Sequence, residues 1–256
     1  MSVEVEISDG VAVVTLARPQ KKNAITMDMR VQLWEAFEGF RENDDVRAVV
    51  LTGAGGDFCS GMDVGEFGSR SVRATLDRMQ RLHRISRAIY TLKKPTIAAV
   101  SGVCMGVGWS YALSCDLVVA DPTARFSQIF NKTALAPDGG AVWLLPRIVG
   151  PMRAKEITYS GRLVGAEEAL ALNVVLEIVK DEPVLARALA MARTFARGPG
   201  LAMEMAKRQY ELAASTDFCS FLENEAAMQP LLMRSDDYQE GVTAFGERRS
   251  PEFRGM

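Results

Sequence analysis

The chain has 256 residues, 48% of them hydrophobic and 24% charged, enough for one sizeable core or a core with a small appendage. Its 30 basic and 32 acidic residues are interspersed and leave a formal net charge of -2, so neither a basic nucleic-acid face nor a disordered acidic arm is expected. A single histidine, His83, excludes HExxH zinc sites and two-histidine mechanisms within one chain, and no GxSxG elbow is present to support a serine hydrolase.

Along the chain, Val3, Val5 and Ile7 alternate with Glu4, Glu6 and Ser8, which predicts a half-buried strand. The same acidic start is unlike a signal or transit peptide. Asp9-Gly10 predicts a hairpin turn into a second strand, Val11–Leu16. Thr26 is placed to cap a helix that carries Met29, Leu33, Phe37 and Phe40 on one face. Residues 46–52 form a continuous apolar strand. A helix is predicted over 71–92, with Leu76, Met79, Leu82, Ile85 and Ile89 inward and His83 on the same apolar face; Lys93-Lys94-Pro95 ends it. A buried strand at Thr96–Val100, a short helix from Val107 and a strand at 116–120 follow. The apolar run over 97–113 is interrupted by Ser101, Gly102, Gly106, Gly108 and Ser110, which favours a soluble core over a bilayer span.

From Pro151 onward the pattern is mostly helical, with one strand near 174–179. Cys59, Cys104, Cys115 and Cys219 sit in apolar contexts and form no CxxC pair, so free thiols in a reducing, cytoplasmic setting are expected. Strand-strand-helix order in the first two thirds, then helices, predicts an α/β fold of stacked turns with a helical C-terminal appendage.

Two glycine-rich segments stand at strand-to-helix junctions. One is LTGAGGDFCSGMDV over 51–64 and the other PTIAAVSGVCMGVG over 95–108. Such glycines permit tight turns and let backbone N–H groups face a ligand, although either segment alone is compatible with ordinary turn chemistry. Together they are more specific. FCSGMDV (58–64) and KKPTIAAVSGVCMGVG (93–108) resemble the two signatures of the crotonase superfamily, the enoyl-CoA hydratases and isomerases. LAPDGGAVWLLPRIVG (135–150) and GVTAFGERRSPEF (241–253) continue the resemblance in order along nearly the whole chain.

The resemblance implies a crotonase (ClpP-like) spiral of ββα turns over 1–195, holding a coenzyme A site. It also implies a helical region over 196–256 that relatives use to form trimers or hexamers. The substrate implied is an acyl-CoA, with neither a metal nor a redox cofactor, and no nucleic-acid or membrane partner is expected. Carried over residue by residue, the oxyanion donors fall on the backbone N–H groups of Met62 and Val107, with Val107 replacing the more usual Gly. Lys22, Ala24, Ser60, Asp63, Val64, Gly106, Phe130 and Pro137 fall at substrate-binding positions. Arg248 lies where a neighbouring subunit supplies a basic residue.

The two glutamates that hydratases use fall on Ser110 and Phe130, neither of which is a carboxylate. Asp138 matches the aspartate of the family's isomerases, and one carboxylate is sufficient to move a proton between two carbons. Phe130 is expected to dry the site and raise the Asp138 pKa. The expected activity is therefore double-bond isomerisation. A hydratase or lyase using Asp138 alone and a non-catalytic acyl-CoA binder are the alternatives, and an Asp138 that merely caps a helix beginning at Gly139 is the structural one. His83 matches a base position of some relatives but is expected to serve packing. The acyl pocket is expected to be lined by residues 65–78.

Overall fold

The computed structural model describes residues 2–66 and 71–255, so 67–70 of the expected acyl-pocket segment lie outside the described residues. Strands β1 (Val3–Ser8) and β2 (Val11–Leu16) pair antiparallel. Asp9 and Gly10 both take positive φ between them, 51° and 77°, as the predicted two-residue turn requires. β3 (Ala48–Gly53), β4 (Thr96–Val100), β6 (Leu117–Ala120) and β9 (Glu177–Ile178) then add in parallel, giving the six-stranded order β1-β2-β3-β4-β6-β9. A second sheet pairs β5 (Val103–Met105) with β7 (Arg125–Ser127), and β7 with β8 (Val164–Gly165). Single bridges extend this small layer, Cys59 to Cys104 and Ile25 to Met62.

The chain thus repeats one pattern, a strand in the large sheet, a pairing segment in the small one and then a helix. α1 (Met27–Gly39), α2 (Val72–Tyr90) and α3 (Val107–Ser114) close three such turns. This is the crotonase spiral the sequence predicted. β5, β7 and β8 went unpredicted because two or three residues carry no readable alternation.

Parallel strands here are buried on both faces, which explains their unbroken apolar sequences. Val49, Leu51, Ala98 and Val100 face a core shared with α1, α2 and α3. Ala48, Val50, Ile97 and Ala99 face Ala188, Ala192 and Ala196 of α7 (Val184–Ala196). Thr26 caps α1 as expected, its hydroxyl accepting from the Met29 N–H at 3.2 Å. On α2 the buried face is Leu82, Ile85, Ala88 and Ile89. Leu76 and His83 are exposed, a correction to the predicted inward face, so His83 does not pack into the core. Cys219 is likewise exposed, whereas the other three cysteines are buried.

α4 (Ala141–Val149), α5 (Pro151–Ser160), α6 (Ala166–Ala171), α8 (Gly200–Ala213), α9 (Phe218–Leu232) and α10 (Asp236–Glu247) complete the chain. None of its described helices is long and apolar enough to cross a membrane.

Candidate active site

The small sheet layer brings the two glycine-rich segments side by side. Ile25 N–H donates to the Gly61 carbonyl at 2.8 Å, and Asp63 N–H donates to the Ile25 carbonyl at 3.0 Å. Alternation along an extended chain then turns the intervening Met62 N–H toward the opposite edge. The chain entering α3 lies at that edge. A Cβ built on Gly61 (φ 105°) would stand 3.3 Å from the Met105 carbonyl oxygen, and one built on Gly106 would stand 3.9 Å from Gly61 Cα. Gly108 is tighter still, since a Cβ there would meet Cys59 Cβ at 2.6 Å. Glycine is therefore needed to dock the first turn of α3 against residues 59–61. Val107 opens that helix, so its N–H belongs to the first turn, at the positive end of the helix dipole.

The segment carrying Asp138 packs onto this same helix start. The Ser110 hydroxyl donates to the Asp138 carbonyl at 2.8 Å. Gly139 (φ 64°) sits so close that a Cβ would lie 2.8 Å from Ser110 Cβ and 3.2 Å from Val107 Cγ2. Ser110, which the resemblance aligned with a hydratase glutamate, is thus a fully buried serine that anchors the Asp138 loop. Phe130, buried in the short helix Ile129–Thr133, lies 3.7 Å from the Cβ position of Gly106.

Asp138 is not a helix cap. α4 begins two residues beyond the expected start, its N-cap is Gly140, and no side chain caps it. The Asp138 Oδ1 is instead buried with no hydrogen-bond partner. Burial pushes its carboxyl up to about 6, against the opposing pull of Arg30 and Arg78. A carboxyl raised toward neutrality, with one oxygen free of hydrogen bonds, suits proton transfer.

Two of the expected site residues, Lys22 and Ala24, flank Asn23 in the chain. Asn23 is buried in the left-handed region (φ 56°); its amide donates to the carbonyls of Ala54 (2.9 Å) and Asp57 (2.6 Å) and accepts the Arg18 N–H at 2.9 Å. Lys22 is exposed, with its Nζ 3.9 Å from Asp57 Oδ2, and its carbonyl accepts the Ser60 N–H at 2.9 Å. Ala24 is buried beside them, and Val64 is exposed. Pro137 is half-buried next to Asp138.

Both carboxylate oxygens of Asp63 are engaged within the protein. Oδ1 accepts the Gly65 N–H at 3.1 Å, and Oδ2 pairs with Arg18 at 3.0 Å, which holds the carboxyl below its usual range. Arg18 also donates to the Ala24 carbonyl, so the pair ties the two loops together. Arg248 ends α10 in the left-handed region, exposed, with its described bonds only to neighbouring backbone. Within one chain it does not join the cluster.

Sequence reasoning overlooked Arg30 and Tyr111, both buried close to Asp138 in electrostatic terms. Arg30 was detectable, since 30, 33 and 37 share a helical face with the predicted inward residues. Among the described residues, no group of three or more potential metal ligands is assembled.

A spiral of ββα turns with two backbone segments converging on the start of a helix defines the crotonase class. Residues 6–256 match the family model described as enoyl-CoA hydratase/isomerase. The chain is 37% identical over 254 residues to a Rhodobacter capsulatus protein named "Probable enoyl-CoA hydratase", covering 99% of this chain and 98% of the other. It is 35% identical over 253 residues to the 1,2-epoxyphenylacetyl-CoA isomerase of Escherichia coli, covering 97% of each. The crystal structure of an enoyl-CoA hydratase from Bacillus anthracis superposes with a TM-score of 0.95 at 27% identity, covering 100% of both chains. The chain therefore belongs to the enoyl-CoA hydratase/isomerase family.

Proposed function

We propose that this enzyme moves a double bond within an acyl-CoA thioester. The N–H groups of Met62 and Val107 hold the thioester oxygen, and Asp138 carries the proton. The ionised Asp138 removes a proton from the α carbon of a 3-enoyl thioester, and the electron pair passes to the thioester oxygen as an extended enolate. Asp138 then returns the proton at the γ carbon, leaving the 2-enoyl product with atoms and charge balanced. Each oxyanion donor contributes roughly 3 kcal/mol to the transition state in comparable sites.

The observation that carries this reading is Asp138 itself, a carboxyl whose Oδ1 is buried without a partner and whose pKa is raised to about 6. Serine and phenylalanine at 110 and 130 leave no second carboxylate there to deliver water. Likeness to the E. coli isomerase across nearly the whole chain adds support. Lys21 and Lys22, both exposed beside the loop at 60–63, are suited to the coenzyme's phosphates.

Assay of purified protein with 3-enoyl and 2-enoyl thioesters tests the proposal. Allylic transfer without water uptake is expected. A 3-hydroxyacyl product would identify a hydratase that uses Asp138 alone, and binding without turnover would identify a non-catalytic binder.

A further inference from the structure

Arg30 carries a buried guanidinium. It is 3% exposed, and its Nε, Nη1 and Nη2 all lack a hydrogen-bond partner. The nearest carboxylate oxygen, Glu66 Oε2, lies 4.0 Å away, beyond hydrogen-bond reach, and instead accepts the Met27 N–H at 2.7 Å. A guanidinium withdrawn from water is costly unless its donors are met, and buried polar groups without partners are rare enough to require an explanation.

Two further unpartnered groups accompany it. The Tyr111 hydroxyl, from the centre of α3, is buried without a bond, as is Asp138 Oδ1. Arg30 on α1, Tyr111 on α3 and Asp138 in the loop before α4 lie within electrostatic range of one another. Donor capacity on Arg30 and Tyr111 therefore accumulates near the proposed base, hydrogen-bonded to no protein acceptor. A wholly hydrocarbon acyl group would offer those donors no acceptor.

The geometry points to an acyl group that carries its own acceptor oxygen, held by Arg30 and Tyr111 while Asp138 acts on the carbons next to the thioester. This rests on the acyl-CoA reading above and deepens it by naming the substrate class. A terminal carboxylate and a neutral ring oxygen both supply the required acceptor. The carboxylate would match the planar fork of the guanidinium two bonds at a time.

Binding of saturated, unreactive thioesters tests the inference without depending on turnover. Titration calorimetry is run with glutaryl-CoA against hexanoyl-CoA, and with tetrahydropyranylacetyl-CoA against cyclohexylacetyl-CoA. At least one oxygen-bearing member should bind roughly tenfold or more tightly than its hydrocarbon partner, and the pair that shows it identifies carboxylate or ring oxygen. Arg30→Gln should abolish that preference while hydrocarbon thioesters bind as before. Tyr111→Phe, which keeps the ring and so the packing, should reduce it several-fold even where Arg30→Gln does not fold. Equal binding within both pairs, or equal losses for all four ligands in Tyr111→Phe, overturns the inference. Failure of every thioester to bind the unmodified protein overturns the acyl-CoA reading itself, and this one with it.

Discussion

α3 and the pair α8 and α9 show two ways of using a helix. Every residue of α3 is buried, locked between the sheets and the loop that carries Asp138. α8 and α9 bury none of theirs, although α9 is the longer helix. Phe218 is 73% exposed, Tyr210 82% and Phe245, on α10, 88%. Apolar surface of this kind on the C-terminal helices is uncommon for a chain that works alone. One chain thus brings the Asp138 loop against the start of α3 by itself, whereas its C-terminal helices have apolar faces still to be covered. We infer that further copies cover them in a trimer or hexamer, which is also how Arg248 of one subunit would reach the coenzyme bound by the next.

Substitutions can separate the two regions, beginning with the largest expected effect. Asp138→Asn should reduce turnover by roughly a hundredfold to ten-thousandfold while leaving thioester binding near normal, measured by steady-state kinetics and calorimetry. In the unmodified protein the rate should rise with pH and level off above about 6, since the ionised carboxylate is the active form. The same residue should lower stability. Its folded pKa is raised from an ordinary 3.8 to about 6, so the stability present below the lower value is lost as pH rises through the upper one. Asp138→Asn should therefore raise stability by about 1–3 kcal/mol at pH 7.5 in denaturant titrations. A variant that is both inactive and less stable would show a structural role instead.

Gly139→Ala should rank next. Its Cβ would press on Ser110 at 2.8 Å, with φ at 64°, so the Asp138 loop must shift. A loss of roughly ten- to a hundredfold in kcat is expected from displacement of the base, with the circular dichroism spectrum unchanged. Ser110→Glu meets the same obstacle, so it is expected to dislodge Asp138 rather than install a working hydratase acid.

On the other side of the comparison, Phe218→Asp combined with Phe245→Asp should leave the sheets folded but lower the assembly mass. Light scattering at micromolar concentration should read a trimer or hexamer for the unmodified protein and smaller species for the variant. A monomeric unmodified protein would remove the contrast drawn above. The smallest effect is expected for Asp63→Asn, about 1–2 kcal/mol of stability through the loosened Arg18 clamp. The Asp63 carboxyl is held below its ordinary pKa, so its contribution is present above the usual carboxylate range and lost as pH falls through the depressed value.

The sequence by itself determined the parts that rest on local chemistry. Alternation and continuous apolar runs located β1 to β4 and β6; Thr26 and Lys93-Lys94-Pro95 marked helix ends; and the paired glycine segments with Asp138 carried the family. Those signals were legible because backbone geometry demands particular residues at particular spacings. Tertiary structure alone decided what each polar group finds beside it. It paired Asp63 with Arg18, used Ser110 to hold the Asp138 carbonyl, left His83 exposed and buried Arg30 without a hydrogen-bond partner. Burial and partnering depend on residues distant in sequence, so the local pattern could nominate Asp138 but could not show that its Oδ1 is buried without a hydrogen bond.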